Sequence, residues 1–533
     1  MRWSEASVWL IAYADHAPAP GQTPLAALAS FIENELGDVV DGVHILPFAP
    51  STSDGGFAVV DYEAVDPEYG AWPDVEAIAG QRPVMFDAVI NHMSSQSPWF
   101  KGFLAGEAEF DGFFRTSDPV IDTTAVVRPR TSPLLTPFAQ TDPATGETAD
   151  IHVWTTFSAD QVDLDYANPK VLLRMLDVLV TYCEHGAKAI RLDAVGFLWK
   201  DEASPSIHLP ETHQLIQLMR SFLDDVAPGT ILISETNVPH AENISYLGAF
   251  ADNGADVDEV HAVYQFPLAP LAAHAALTGD TAVLEQWAAG IDEITGPGRS
   301  FLNFLACHDG VGLRPAEGLL DSRQLAVLMD ACRASGGVVS ERSLPDGSTS
   351  PYELNTTWFD LMRGGATGEQ GERRAIGRHL ATHAVMLSLP GIGGIYAQSL
   401  VGASNDLAAV GATDHPRDIN RARFTDRDAL VAELTVDGRR GQRISAGLAD
   451  MVVARRSSPA FHPEGSMAVV DSPEGVFAIE RSYDGHRARV IVNLTDAPID
   501  VSALTTDPSL PNDRAAVLPP YDSLWLTNLP TRG

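Results

Sequence analysis

Cysteine and lysine are scarce in this sequence of 533 residues. The three cysteines, Cys183, Cys307 and Cys332, are odd in number and far apart, so they predict neither a disulfide framework nor a zinc site and favour a reducing compartment. Lysine and arginine total 35 against 71 aspartate and glutamate residues, which gives a formal charge of −36. Such a charge argues against nucleic acid or an anionic membrane as a partner.

Long apolar runs are also missing. No stretch is long enough to span a bilayer, and the apolar run 9–13 is too short for a signal peptide. We therefore predict a cytoplasmic protein. The acidic surplus would suit a high-salt cytoplasm, although a solvated surface without special meaning explains it more simply.

Strand-like and helix-like segments alternate through most of the chain, which predicts an α/β protein. Hydrophobic residues make up 45% of it, which is ample for one large core and smaller domains. Thr23 and Gly186 are of the residue types that begin and end helices. The predicted helices cover 23–36, 72–80 and 171–185, and the predicted strands cover 8–13, 40–47, 83–92, 187–195, 230–236, 261–266, 300–309 and 391–397. Eight such units predict a (β/α)8 TIM barrel.

Three segments depart from this alternation. Residues 94–165, rich in Thr, Pro, Asp and aromatics, predict an irregular domain inserted after the third strand, and 311–362 predict a loop-rich insertion after the seventh. From 459 to 533, short strands and turns such as Asp484-Gly485 predict a small C-terminal all-β domain without helices. The barrel itself is then expected at 1–93, 166–310 and 363–458.

The segment 187–195 carries charge where a buried strand should be apolar. Arg191 and Asp193 are two positions apart, so both side chains point to the same side of the strand. Burying them is expensive unless they pair or take part in chemistry. Parallel α/β folds place reactive groups at the C-terminal ends of strands. Arg191 can keep Asp193 ionised, and a structural ion pair is compatible with that role.

Glu235 and Asp309 also follow apolar runs, and a closed barrel brings such strand ends to one rim. Two carboxylates across a glycosidic bond can act as nucleophile and general acid/base, and a third can stabilise an oxocarbenium-like transition state. A helix cap or solvated turn explains one such acid well but three poorly. His92 and His308 follow strands too; a lone histidine there is ordinarily a satisfied core residue, but beside Asn91 and Asp309 these two fit hydrogen bonding to sugar hydroxyls.

At these residues the chain resembles the α-amylase superfamily of retaining α-glycosidases and transglycosidases. The matching motifs are Asp87-Ala88-Val89-Ile90-Asn91-His92, Ile190-Arg191-Leu192-Asp193-Ala194-Val195, Ser234-Glu235 and His308-Asp309. Within the superfamily it looks closest to the sucrose phosphorylase branch, through His44-Ile45-Leu46-Pro47-Phe48, Ser53-Asp54-Gly55-Gly56-Phe57, Asp61-Tyr62, Arg128-Pro129-Arg130, Phe157, Gln161-Val162-Asp163 and Arg417-Asp418-Ile419-Asn420-Arg421.

The resemblance implies a role for each matched residue. Asp193 would be the nucleophile, Glu235 the acid/base and Asp309 the transition-state stabiliser. The donor glucose would be held by Asp54, His92, Arg191, His308 and Arg421, with Phe57 and Phe157 as its apolar platform and Gln161 near the acceptor. Arg130 and Tyr352 fall where the family binds phosphate. Because the branch generally works without calcium, we expect no metal and no cofactor.

Two segments depart from sucrose phosphorylases and look more like the glucosylglycerate phosphorylases of the same branch. Ser350 stands where an aspartate is usual, in Ser350-Pro351-Tyr352-Glu353-Leu354-Asn355, and Arg314-Pro315-Ala316-Glu317-Gly318-Leu319-Leu320 follows Asp309. A glycerate acceptor carries a carboxylate, which a nearby cation would suit. Arg130 and Arg342 are the candidates.

The resemblance therefore implies a retaining α-glucoside phosphorylase, a glycosyltransferase-type enzyme. Its partners would be inorganic phosphate and a small α-glucoside, with 2-O-α-glucosylglycerate as the first candidate, and its product would be α-D-glucose 1-phosphate. The alternatives are a sucrose phosphorylase, a glucosylglycerol phosphorylase, and an α-glucosidase or transglucosidase. A catalytically inactive scaffold would have no need of three buried acids. A homodimer is the assembly to be tested.

Overall fold

Eight parallel strands form a closed barrel in the computed structural model, which describes residues 3–142, 144–249, 258–344, 346–505 and 517–529. Each strand pairs with its neighbours in sequence, and the eighth closes the ring on the first. The predicted (β/α)8 fold is confirmed. In chain order the strands are β1 (Val8–Ala12), β2 (Gly42–Ile45), β3 (Val84–Ala88), β4 (Ala187–Leu192), β5 (Ile231–Ser234), β6 (Ala262–Tyr264), β7 (Ser300–Phe304) and β8 (Ile392–Tyr396).

Nearly every residue of these strands is buried, with Lys188 the partial exception. Helices cover the outer face of the barrel and side chains fill its interior, so most residues on both faces of a strand are apolar and the strands appear in the sequence as largely apolar runs. The α-helices are Pro24–Phe31, Trp72–Ala79, Pro98–Leu104, Pro169–Glu184, Pro210–Val226, His240–Ile244, Leu268–Thr278, Ala282–Ala288, Ser322–Ala334, Trp358–Arg363, Gly368–Ser388, Ala397–Leu400, Leu407–Thr413, Arg427–Thr435, Arg440–Arg456 and Ser502–Thr505. Short 3₁₀ turns occur at Gly37–Val39, Asp54–Gly56, Val195–Phe197, Ser245–Leu247, Ile291–Glu293, Arg314–Ala316, Pro416–Asn420 and Pro459–Phe461.

Helix ends match the sequence signals. The side chain of Thr23 accepts a hydrogen bond from the backbone N–H of Ala26, as an N-cap does. The helix that it begins passes at Ile32 into a π-helical turn, Ile32–Leu36. Gly186, after helix Pro169–Glu184, has φ +93° and turns the chain directly into β4.

The segment inserted after β3 is more regular than predicted. It contains helix Pro98–Leu104 and the antiparallel hairpin Leu135–Thr141 with Thr148–Trp154. A second antiparallel pair, His92–Ser94 with Gln161–Asp163, joins the two ends of the insertion. The third strand was predicted too long, because β3 ends at Ala88 and His92 belongs to this separate pair.

The loop-rich prediction for 311–362 is wrong. The segment contains helix Ser322–Ala334 and a three-stranded sheet in the order Val311–Gly312, Thr349–Asn355, Val338–Ser343. Pro345 lies outside the described residues. The seventh strand was also predicted too long: β7 ends at Phe304, so His308 and Asp309 lie on the loop that follows it.

The C-terminal segment forms an antiparallel sheet of Ser466–Val469, Val476–Tyr483, His486–Asn493 and Ser523–Leu529. Asp484 and Gly485 have φ of +46° and +78°, as a two-residue hairpin turn requires. A second pair, Ile499–Asp500 with Val517–Leu518, encloses the short helix Ser502–Thr505, so the prediction of no helix was wrong here. Residues 506–516 and 530–533 of the predicted domain lie outside the described residues. Among those described, no helix combines the length and apolar character needed to cross a bilayer.

Candidate active site

One pocket at the C-terminal rim of the barrel collects most of the predicted site residues. Arg191 and Arg421 lie directly behind its wall and bond to groups that form it. The lining includes Asp54, Phe57, His92, Arg130, Phe157, Gln161, Asp193, Glu235, His308, Asp309 and Tyr352. Barrel closure and the rim loops thus bring together residues that are up to about three hundred positions apart.

Arg191, near the end of β4, contacts three carboxylates. Its Nη1 lies 2.6 Å from Asp87 Oδ1 and 2.8 Å from Asp193 Oδ1, and its Nη2 lies 3.8 Å from Glu235 Oε1. Asp87 is also held by His44, whose Nε2 lies 2.7 Å from Asp87 Oδ2. The Arg191 side chain is only 1% exposed, so these contacts operate with little screening by water.

Asp193 and Glu235 share one electrostatic environment beside Arg191. Burial raises the pKa of both carboxyl groups, because a charged carboxylate loses its hydration in the pocket. Arg191 acts in the opposite direction on both, and Glu235 adds to the rise for Asp193. At least one of the two is therefore easier to protonate than an exposed acid.

Ala194 connects the two carboxylates through its backbone. It adopts the left-handed conformation, with φ +50°, which residues other than glycine rarely adopt. In this conformation its N–H donates to Glu235 Oε2 at 3.1 Å. The backbone strain directly after Asp193 thus fixes the orientation of Glu235, as is common at functional sites.

Asp309 has a different electrostatic environment. Its Oδ1 lies 2.5 Å from Nη1 of Arg417 and 3.5 Å from Nε2 of His308. Burial alone would raise the pKa of Asp309, but Arg417 and then His308 outweigh burial and hold it well below its ordinary value. Asp309 is therefore ionised at neutral pH.

Arg417 had no role in the sequence prediction, where it appears only as part of a family motif. The structure places it in the pocket wall, where its Nε and Nη2 donate to Glu353 Oε2 and Oε1 at 3.1 and 3.0 Å. The Glu353 side chain is 1% exposed. The sequence feature that could have indicated this ion pair is an acidic residue, Glu353, within the strand Thr349–Asn355. Its partner could not be identified, because Arg417 is 64 residues away in sequence.

Asp54 and Arg421 form a second ion pair at the rim, with Arg421 Nη2 3.1 Å from Asp54 Oδ1. Arg421 also donates from Nε to the carbonyl oxygen of His308 at 2.9 Å. Burial raises the pKa of Asp54, but Arg417, Arg421 and Arg130 together hold it far below its ordinary value. Arg421 therefore contacts residues of the lining rather than lining the pocket itself.

Aromatic rings form the wall beside Asp54. The Phe57 ring stacks on His308 with centroids 4.5 Å apart and an interplanar angle of 9°. Phe157 packs on His92 at 5.0 Å. Both Gln161 Nε2 and His92 Nε2 lie within hydrogen-bonding distance of the Phe57 carbonyl oxygen, at 3.2 and 3.0 Å. Burial lowers the pKa of His92 to about 4 and of His308 to about 3, so both rings are neutral at pH 7.

Arg130 and Tyr352 both line the pocket and contact each other; their assignment to a phosphate subsite stays a prediction. The Arg130 guanidinium lies 5.5 Å from the centre of the Tyr352 ring. Arg130 is partly buried, and no carboxylate of the described residues lies within 4.0 Å of it. It also lines an outer cavity with Ser132, Ser158 and other rim residues.

Two further pocket residues had no predicted role, Arg314 and Asn237. Arg314 was part of a matching motif only, and Asn237 follows Glu235 by two positions. Arg342, one of the two predicted acceptor cations, is instead paired with Glu317 at 2.9 Å and does not line the pocket. Arg342 is therefore not supported as the acceptor cation.

One group of described residues has metal-ligand atoms close together: Cys307, His308 and Asp309, within 4.8 Å of one another. Arg417 already contacts the Asp309 carboxylate. The expectation of a metal-free enzyme stays a prediction.

The fold and the site together define the class of enzyme. Acids beyond β4, β5 and β7 meet in one pocket of a (β/α)8 barrel, lined by aromatic rings and neutral histidines, which is the arrangement of α-amylase-type enzymes that act on glycosidic bonds.

Comparison with known proteins narrows this class. Residues 34–295 match the family "Alpha amylase, catalytic domain". A glucosylglycerate phosphorylase from Allomeiothermus silvanus is 44% identical over 98% of this chain and 91% of its own length, and a sucrose phosphorylase from Agrobacterium vitis is 28% identical over 93% and 97%. The crystal structure of sucrose 6F-phosphate phosphorylase from Thermoanaerobacter thermosaccharolyticum aligns with a TM-score of 0.76 at 25% identity, covering 92% of this chain and 94% of that one. The chain therefore belongs to the sucrose phosphorylase branch of the α-amylase superfamily and is an enzyme of the glycoside phosphorylase type.

Proposed function

We propose that this enzyme is a retaining glucosylglycerate phosphorylase. It converts 2-O-α-glucosylglycerate and inorganic phosphate reversibly into α-D-glucose 1-phosphate and glycerate. The observation that carries the proposal is a single pocket that holds three carboxylates together with two arginines, Arg130 and Arg314, neither of which makes a hydrogen bond to a carboxylate of the described residues; the nearest such oxygen to Arg314, on Glu242, is 3.8 Å away. A hydrolase has no need of such cations, whereas transfer between phosphate and a hydroxy acid involves two anions.

In the proposed mechanism, an oxygen of Asp193 attacks the anomeric carbon and forms a glucosyl ester. The bond to the glycerate oxygen breaks, and that oxygen takes the proton of Glu235. Phosphate then enters on the same face, gives a proton to Glu235 and attacks the anomeric carbon, which releases Asp193. Two inversions give overall retention, so the product is the α-phosphate.

The contacts of Arg191 support this division of roles. Its distance to Asp193 is 2.8 Å and to Glu235 is 3.8 Å, so Arg191 stabilises the negative charge of Asp193 more than that of Glu235, as a nucleophile and an acid require. Asp309, ionised beside Arg417, is suited to stabilise the positive charge that develops on the sugar ring.

The remaining lining suits a glucosyl group. Asp54 and the neutral rings of His92 and His308 offer hydrogen-bonding groups to hydroxyls, while Phe57 and Phe157 offer apolar faces. Arg421 holds this wall from behind, and Gln161 lies at its edge. Arg130 and Tyr352, at the mouth, are the proposed phosphate ligands.

The proposal is tested by incubating the purified enzyme with α-D-glucose 1-phosphate and one acceptor at a time. The acceptors are D-glycerate, fructose, glycerol and water, and released phosphate is measured. We expect the highest kcat/KM with glycerate. Preference for fructose or glycerol would identify a sucrose or a glucosylglycerol phosphorylase instead. Release of free glucose as the main product would identify a glucosidase.

We also propose that the enzyme works in a reducing compartment, which the cytoplasm provides. The three cysteines are free thiols, and Cys307 and Cys332 are buried. Labelling of native and unfolded protein with a maleimide tests this, because three reactive thiols are expected after unfolding without reductant.

A further inference from the structure

Arg314 is a buried cation whose guanidinium makes no hydrogen bond with the described residues. Its exposure is 9%, and the nearest carboxylate oxygen, Oε2 of the half-exposed Glu242, lies 3.8 Å away. The other buried arginines each donate to a carbonyl or carboxylate oxygen: Arg191, Arg220, Arg421, Arg455, Arg481 and Arg487. Burying a guanidinium whose hydrogen bonds are not made is costly, so its retention points to a ligand.

The position of Arg314 indicates which ligand. It begins the 3₁₀ turn Arg314–Ala316, directly after the strand Val311–Gly312, and it lines the same pocket as Asp193 and Glu235. Asn237, also in the lining, has a buried Oδ1 without a hydrogen-bond partner among the described residues. Arg314 therefore lines the cavity beside the acid/base, where the leaving or entering acceptor must lie.

Gly312 allows this arrangement. A Cβ atom at position 312 would lie 2.6 Å from the Asn237 Oδ1 atom. The lack of a side chain at Gly312 gives the Asn237 amide room to pack against this strand. The carboxylate of a ligand in this pocket can accept hydrogen bonds from the Arg314 guanidinium.

We infer that Arg314 binds the carboxylate of the acceptor and makes the enzyme selective for a small hydroxy acid over a neutral polyol. The inference rests on the proposed function and assigns the carboxylate to Arg314 and the phosphate to Arg130. Arg130 lines both the pocket and the outer cavity, whereas Arg314 lines only the inner pocket. The two anions thus have separate cations.

The test compares kcat/KM for D-glycerate and for glycerol, with α-D-glucose 1-phosphate as donor. Glycerol has a neutral hydroxymethyl group where glycerate has its carboxylate. In Arg314→Gln the ratio of glycerate to glycerol should fall on the order of 10- to 100-fold, because a charged, multidentate contact is lost. The ratio for Arg314→Lys should lie between those of the wild-type enzyme and Arg314→Gln, since an ammonium group keeps the charge but not the planar, multidentate geometry.

Arg342→Gln is the matched control. Arg342 is close enough to influence Arg314 electrostatically but is bonded to Glu317 and does not line the pocket. Its loss should leave the ratio near the wild-type value. An unchanged ratio in Arg314→Gln overturns the inference. A rise in the KM for phosphate in place of the change for glycerate also overturns it, because Arg314 would then serve the phosphate.

A binding measurement separates failure of this inference from failure of the proposed function. Calorimetry with D-glycerate is carried out on Asp193→Asn and on Asp193→Asn with Arg314→Gln, so no turnover is needed. Weaker binding to the double variant supports the role of Arg314 even if the wild-type enzyme prefers another acceptor. Equal binding, or no binding to either protein, overturns it.

Discussion

At the scale of single residues, the three carboxylates of the pocket differ because their cations differ. Asp309 has a close arginine, Arg417, and stays ionised. Asp193 and Glu235 share Arg191, whose charge is also engaged by Asp87. Two neighbouring carboxylates cannot both ionise cheaply in a dry pocket, so this pair retains a proton to higher pH than free acids would. A site that needs one acid and two anions thus follows from the placement of two guanidinium groups.

This arrangement predicts the pH dependence of Glu235. In the wild-type enzyme kcat/KM should fall as pH rises, because Glu235 loses the proton that the leaving group needs. The raised pKa of Glu235 moves that decline above its ordinary value of 4.5. Glu235→Gln should lower kcat/KM for the natural glucoside by roughly 10²–10⁴-fold, and α-glucosyl fluoride, which needs little protonation, should be partly spared. With the fluoride, the variant should show no alkaline decline. Initial rates across pH with both donors check this, and equal losses on both donors would remove Glu235 from the acid role.

Arg130 makes a separate prediction, which concerns the fate of the glucosyl-enzyme. Water is abundant, so phosphate succeeds as the acceptor only if a cation concentrates and orients it. Arg130→Ala should raise the phosphate requirement sharply, by roughly 10- to 100-fold, and shift the product from glucose 1-phosphate towards glucose. Arg130→Lys should be intermediate. Both products are measured from one donor across a phosphate titration. An unchanged ratio of glucose 1-phosphate to glucose would show that Arg130 does not bind phosphate.

At the scale of elements, strands were predicted well where apolar runs end in regular turns and too long where buried loops follow. Beyond β3, the carbonyl oxygens of Val89 and Ile90 accept hydrogen bonds from the hydroxyls of Tyr62 and Tyr166. Beyond β7, the carbonyl oxygen of His308 accepts from Arg421. These buried loops need no sheet partner, because distant side chains satisfy their backbone. Local periodicity cannot show such partners.

The helix end at Gly186 provides an element-scale prediction. Gly186 has φ +93°, and a Cβ there would lie 2.7 Å from Ala79 Cβ. Gly186→Ala should therefore lower the free energy of unfolding by about 1–2 kcal/mol through backbone strain and about 1–3 kcal/mol more through overpacking. Gly21→Ala is the control, because Gly21 has φ +76° but no atom within 4 Å of the position that a Cβ would take. Denaturant unfolding of both variants checks this. Equal losses of unfolding free energy would mean that Ala79 moves aside without cost when the methyl group is added.

At the scale of the whole molecule, barrel closure is what made the site predictable. Once eight strands are recognised, Asp193, Glu235 and Asp309 must meet at one rim whatever lies between them. Pairings across the rim did not follow, because the Arg417–Glu353 pair joins the turn Pro416–Asn420 to the strand Thr349–Asn355, and the relative position of these two elements depends on tertiary packing. The same holds for Arg314, whose lack of a hydrogen-bond partner among the described residues is visible only in three dimensions.

The surplus of negative charge predicts how salt acts on stability. With a formal charge of −36, mutual repulsion destabilises the compact state, and ions screen it over about 10 Å at 0.1 M and 3 Å at 1 M. Raising sodium chloride from 0.05 to 1 M at pH 7 should therefore raise Tm, although exposed ion pairs lose some of their small contribution. Sodium chloride is used instead of a sulfate salt, because sulfate strengthens apolar burial independently of charge.

The control for this prediction is the same salt series near the sequence pI of about 4.6, where the net charge is small and salt should have much less effect. Thermal unfolding across both series checks this. An equal rise at both pH values would show that the salt acts on burial, and a fall in Tm at pH 7 would show that attractive pairs outweigh the surplus.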